Sequence, residues 1–172
     1  MLAHARKPVV GFAAYSGTGK TTLLKAMIPL FRRRGIRVGM IKQTHHAFEI
    51  DSPGKDSYEL RKAGASQMLI ASAQREALIV EKEAGVEPDL NRLLDKLDQQ
   101  ALEIILVEGF KNAVFPKVEL YRAALGTSPL YPDDQNIIAV ATDGDLPVPA
   151  DLPVLDINNP AQIVDFLCDR YA

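Results

Sequence analysis

Residues 9–22 read Val9-Val10-Gly11-Phe12-Ala13-Ala14-Tyr15-Ser16-Gly17-Thr18-Gly19-Lys20-Thr21-Thr22. An apolar run passes into a glycine-rich turn, and Lys-Thr-Thr then opens an amphipathic stretch. That order predicts strand, loop, helix. Ala14 to Thr21 has the spacing of a phosphate-binding P-loop, with Ala14 where a glycine is usual, a position that asks mainly for a small residue. Gly17 and Gly19 let the backbone turn tightly and bring its N–H groups against phosphate oxygens, where a Cβ would crowd. The helix that follows aims its positive dipole end at the same oxygens. Lys20 supplies a mobile cation for the β- and γ-phosphates, and the Thr21 hydroxyl is placed to ligate Mg²⁺. The phosphate-binding set is therefore Ser16, Gly17, Thr18, Gly19, Lys20, Thr21 and Thr22. The plain alternative is a glycine-rich turn that happens to contain Lys-Thr.

At 172 residues the chain is expected to form one domain, 1–172, with a substantial core. Its net charge of −2 speaks against a broad nucleic-acid surface. The one cysteine, Cys168, has no partner for an internal disulfide and reads as a small core residue. MLAHARK is followed by a short apolar run unlike a secretory signal. No apolar run reaches the ~20 residues of a membrane span. A cytoplasmic protein, with neither nucleic acid nor membrane as partner, is expected.

Working outward from the loop, apolar positions at Leu23, Leu24, Met27, Ile28, Leu30 and Phe31 predict a helix from Lys20 to about Arg34. Pro29 predicts a kink or a broken last turn, and Gly35 a left-handed stop. Residues 36–42 predict a second strand, which completes a βαβ-type unit with a parallel sheet. Residues 43–56 are polar. A short helix from 56 to 64 is expected, capped by Asp56 or Ser57. Residues 66–73 and 76–82 predict an antiparallel hairpin that would make the sheet mixed. Pro88 should open a helix over 88–98 carrying Leu90, Leu93, Leu94 and Leu97 on one face. Strands are expected at 101–109, central and buried, at 117–121, at 136–143 and at 153–157. Asn159-Pro160 should start a last helix. The fold class is α/β, P-loop NTPase-type, a mainly parallel sheet flanked by helices with an antiparallel hairpin.

A triphosphate site needs a carboxylate near Mg²⁺. Two candidates compete. Glu108 ends the apolar run Ile105-Leu106-Val107, as expected of a strand beside the P-loop strand. Asp51 opens Asp51-Ser52-Pro53-Gly54, which has the D-x-x-G pattern of GTPases. Strand context favours Glu108, and Asp51 is then a loop residue that reaches the metal or a solvated turn residue. Metal candidates are thus Thr21, Glu108 and Asp51, and Lys20 with Glu108 form the candidate catalytic pair. Lys42, His45, His46, Lys55, Arg61 and Lys62 are donors suited to phosphate within a short span. Loops at the C-terminal ends of parallel strands face the ligand crevice, so Lys42, Thr44 and His45 are candidates to face the γ-phosphate or a second substrate. Adjacent His45 and His46 point to opposite sides in extended chain, which disfavours a two-histidine metal site. Asp143, after a buried strand, is placed either to accept guanine N1–H and N2–H₂ or to close a turn before Gly144.

The P-loop Ala14-Tyr15-Ser16-Gly17-Thr18-Gly19-Lys20-Thr21-Thr22, the Lys42-Gln43-Thr44-His45-His46 loop, the stretch from Asp51 to Ala65 and Ile105-Leu106-Val107-Glu108-Gly109-Phe110-Lys111 together resemble the molybdopterin-guanine dinucleotide biosynthesis adapter family, MobB. The resemblance covers residues 9–172. It implies a GTP-binding protein with weak GTPase activity, a homodimer, assisting the guanylyltransferase of molybdenum cofactor biosynthesis, with GTP as ligand and Mg²⁺ as cofactor. Gln43 departs from the family's Lys-His-Thr-His-His pattern. Two other readings fit the same residues: a small-molecule kinase, and a module that binds nucleotide only for stability. Slow hydrolysis is expected, because no Gln adjoins D-x-x-G and no intrinsic arginine finger is evident. Arg61, Arg75 and Arg122 are candidates for donation across a dimer interface.

Overall fold

The computed structural model describes residues 2–44, 48–82 and 85–171. The chain forms two compact units: one from the residues up to Gln43 and from Asp89 onward, the other spanning Thr44–Pro88.

The first unit carries strands β1 (Val9–Ala13), β2 (Val38–Lys42), then β3 and β4 lie in the second unit, and the first resumes with β5 (Ile104–Glu108), β6 (Lys117–Tyr121), β7 (Ile137–Thr142) and β8 (Val154–Asp156). Among the described residues its sheet has six strands in the order β2-β5-β1-β6-β7-β8. Every pairing in it is parallel. β5 sits between β1 and β2, so the first two strands are not neighbours. The expected mixed sheet is corrected: among the described residues the hairpin strands pair only with each other.

Helix α1 (Lys20–Arg33) buries Leu23, Leu24, Met27 and Phe31. These pack with Val10 and Phe12 of β1, Ile104 and Leu106 of β5, and Ile163, Val164 and Leu167 of the C-terminal helix. Each large side chain so buried contributes about 1.5–3 kcal/mol. The period of two along the strands turns Val9, Ile105 and Val107 to the opposite face, against Leu90 and Leu94. Pro29 does not break α1, which runs on to Arg33. Its ring costs one N–H, and the packing of Met27 and Phe31 holds the helix on either side. Gly35 takes the left-handed conformation at the exit.

The predicted helix over 88–98 is shorter. α2 (Asp56–Lys62) belongs to the second unit, and α3 is Leu90–Leu94, capped by Asp89 accepting from the Asn91 N–H at 2.9 Å. Past Leu94 the chain tightens, and the Leu94 carbonyl accepts from the Leu97 N–H at 3.2 Å and from Gln99 Nε2 at 2.9 Å, an acceptor that a continuing helix would use. The last helix, α4, is Pro160–Tyr171. Among the described residues no helix is long and apolar enough to cross a membrane.

The second unit holds α2 and the antiparallel pair β3 (Gln67–Ala71) and β4 (Glu76–Val80). Asp56 is the first residue of α2 rather than its cap; Lys55 occupies the cap position and no side chain caps the helix. Arg61, with its side chain 4% exposed, is gripped by Glu81 at 2.5 Å and Glu49 at 3.0 Å.

Candidate functional site

The P-loop follows β1, a buried strand whose neighbours on both sides fix its direction. Gly17 and Gly19 have φ of 85° and 95°, conformations that side chains avoid. Ala14 has no positive φ, since Phe110 alone of the described non-glycine residues does. That is why alanine serves there. The Thr18 hydroxyl donates to the Tyr15 carbonyl at 2.7 Å and locks the loop. Gly19 stands at the cap position of α1, no side chain caps the helix, and its first turn carries no acidic residue. The first N–H groups of a helix have no partners within it, so here the backbone presents uncompensated donors and a positive dipole end. Lys20 Nζ reaches back over the loop, 3.4 Å from the Ala14 carbonyl. The arrangement is a concave set of donors and one cation, suited to an oxyanion chain.

Glu108 ends β5 beside β1, opposite Phe12. Its side chain is 14% exposed and pairs with Lys42 Nζ at 3.3 Å. Both residues stand at the C-terminal ends of their strands, in register with each other. Lys42, a candidate to face the γ-phosphate or a second substrate, is thus also the counter-ion of Glu108. Behind Glu108 the chain turns sharply: Gly109 has φ of 101° and Phe110 of 53°. Gln43 braces that turn, with its N–H on the Glu108 carbonyl at 2.8 Å and its Oε1 accepting from the Phe110 N–H at 2.7 Å.

On the other side of the P-loop a cleft of about 410 Å³ opens between Gly17, Gly19, Thr22, Arg122, Asn158 and Pro160. Arg122 was weighed above only as a donor across a dimer interface. In the structure its Nε donates to the Thr18 carbonyl of its own P-loop at 3.0 Å. Its Nη1 pairs with Asp143, and its Nη2 donates to Asn158 Oδ1 at 3.3 Å. Asp143 is therefore the ion-pair partner of an arginine that lines this cleft. Neither Arg122's part in the cleft nor Asn158 was found by sequence reasoning. Arg61, another candidate for donation across a dimer interface, pairs with Glu49 and Glu81 inside its own unit.

Asp51 lies in the second unit, where its Oδ1 accepts from the Ser52 N–H at 3.0 Å. Its Oδ2 is buried with no hydrogen-bond partner among the described residues. His45 and His46 lie outside the described residues. Among the described residues no three His, Cys, Asp or Glu side chains gather as a metal cage. Mg²⁺ needs none, since it keeps several waters and is commonly held by one or two protein ligands together with phosphates. Thr21 and Glu108 carry oxygen ligands of the kind that mode uses.

A family model described as molybdopterin guanine dinucleotide synthesis protein B matches residues 9–143. The molybdopterin-guanine dinucleotide biosynthesis adapter protein of Escherichia coli K12 is 49% identical over 163 residues, 94% of this chain and 92% of that protein. The protein of the same name from Haemophilus influenzae is 41% identical over 160 residues, 93% of this chain and 87% of its own length. Among solved structures, Bacillus subtilis MobB aligns with a TM-score of 0.73 at 24% identity, covering 96% of this chain and 98% of that one.

Proposed function

The chain belongs to the molybdopterin guanine dinucleotide synthesis protein B family, and from that premise we propose that it is a GTP-binding adapter of molybdopterin guanine dinucleotide biosynthesis with slow GTPase activity. The observation that carries the nucleotide part is the P-loop: two left-handed glycines at an uncapped, acid-free helix start, with Lys20 folded over them. The adapter part rests on the names of the Escherichia coli and Haemophilus influenzae relatives.

In this reading the N–H groups of residues 16–22 and Lys20 hold the phosphates. Thr21 and Glu108 would hold Mg²⁺, which would supply charge neutralisation to the phosphates. Lys42 keeps Glu108 in place and balances its charge. Slow turnover follows from the residues: Arg122 is tied to Thr18, Asp143 and Asn158, and so is not spare for transition-state charge. The partner is the guanylyltransferase of the pathway, and the working form is a homodimer. The β3–β4 pair, with Leu69, Ile70 and Leu78 exposed, supplies a surface for that assembly.

A thermal-shift series with Mg-GTP tests the proposal. Wild-type protein should gain melting temperature with rising GTP, and Lys20→Ala should not. An equal gain in both, or none in either, contradicts it.

A further inference from the structure

Four neighbouring strands end at one guanidinium. β1 leads to Thr18, β6 to Arg122 itself, β7 to Asp143 and β8 to Asn158. Arg122 touches all three of the others. Arg122, Thr18 and Asn158 line the cleft with Gly19 and Thr22, and Asp143 pairs with Arg122 beside it.

The chemistry of the three contacts fixes polarity. A guanidinium has five N–H donors and no acceptor. Asn158 therefore turns its amide oxygen to Arg122, which leaves its Nδ2 hydrogens to donate elsewhere. Asp143, paired through Oδ2, keeps acceptor capacity on Oδ1 and on the second lone pair of Oδ2. The cluster thus sets one donor beside one acceptor. Both side chains stand on braced loops. Thr142 Oγ1 accepts from the Gly144 N–H at 3.3 Å, Asp156 Oδ1 accepts from the Asn158 N–H at 2.8 Å, and the Ile157 N–H donates to the Thr142 carbonyl at 3.0 Å.

We propose that Arg122 is a positioning residue for base selectivity: it aligns Asn158 and Asp143 as a donor–acceptor pair that matches a 6-oxopurine and mismatches a 6-aminopurine. This deepens the nucleotide-binding reading above and rests on it. Guanine offers an acceptor at O6 and donors at N1 and N2, which meet the Asn158 amide and the Asp143 carboxylate. Adenine presents a donor at N6 and an acceptor at N1, so like would face like. The same guanidinium holds the Thr18 carbonyl, so the phosphate loop and the base readers share one anchor.

Isothermal titration of the full chain with Mg-GTP, Mg-ITP, Mg-ATP and tripolyphosphate tests this, the last reading phosphate binding alone. Wild type should favour GTP over ATP by about tenfold at least. Arg122→Ala should bring the GTP/ATP ratio close to unity while GTP loses more than tripolyphosphate does. Asn158→Ala should weaken GTP and ITP alike, since both carry O6. Asp143→Ala should weaken GTP more than ITP, which lacks the N2 amine. If Arg122→Ala fails to fold, the double exchange Asp143→Asn with Asn158→Asp reverses the pair and should turn the ratio toward ATP. Equal losses for GTP, ATP and tripolyphosphate in Arg122→Ala would make it a brace of the P-loop and overturn the proposal. So would an unchanged GTP/ATP ratio in every variant. A wild type that binds tripolyphosphate but takes GTP and ATP equally overturns base reading and spares the phosphate site. A wild type that binds none of the four overturns both.

Discussion

Lys42 Nζ lies 3.3 Å from Glu108 Oε2, across two strands that end side by side. The pair neutralises the carboxylate that would face the metal. Glu108→Gln should raise the Mg²⁺ concentration for half-maximal GTP binding by about tenfold, the equivalent of one ordinary charge contact. Lys42→Ala should move it the other way, because Glu108 then meets the metal uncompensated. Fluorescent GTP titrations at graded Mg²⁺ read both shifts. A Lys42→Ala variant that loses GTP affinity without Mg²⁺ would assign Lys42 to the phosphates instead.

Gly109 is where the backbone behind Glu108 has no room. A Cβ there would lie 2.6 Å from Gln43 Cβ, at a φ of 101°. Gly109→Ala should cost about 1–3 kcal/mol, from strain and overpacking together. Urea unfolding should show it as a lower midpoint at unchanged slope.

The acid limb of stability has a named source. Side-chain and backbone hydrogen bonds from Arg37 hold the Glu103 carboxyl down at about 2, against an ordinary value of 4.5. A depressed carboxylate contributes stability above its unfolded value and loses it as pH falls toward the folded one. Between pH 4.5 and about 2 the wild type should therefore lose stability that Glu103→Gln never has. Thermal melts across that window should show a flatter acid limb for the variant.

Arg61 is buried between Glu49 and Glu81, both half exposed. Arg61→Ala should loosen the second unit locally. Hydrogen exchange should speed up across Gln67–Val80 and stay unchanged in Ile104–Glu108. Equal acceleration in both stretches would make Arg61 a support of the whole chain.

The strand, glycine turn and helix at residues 9–33 were legible because their signals are local. The apolar run, two glycines, Lys20 and the amphipathic period of α1 lie within one continuous stretch, and each demands the same structure. Glu108 was legible for a similar reason: an apolar run ending in a carboxylate marks a buried parallel strand and its exit. Arg122 was not, because its partners lie 104, 21 and 36 positions away, and only the sheet order brings them together. The hairpin was found but misplaced, since alternation gives a strand its faces without naming its neighbour. The helix expected over 88–98 stops at Leu94, whose carbonyl accepts from the Gln99 side chain, a contact no propensity scale can see.

Isothermal titration with GTP, with and without Mg²⁺, tests the central claim most directly. The wild-type chain should bind one GTP per chain, weaken when Mg²⁺ is removed, and show no binding heat as Lys20→Ala. Binding of GTP by a folded Lys20→Ala variant as tight as wild type, or no binding by folded wild type, would contradict a nucleotide-dependent role for this P-loop.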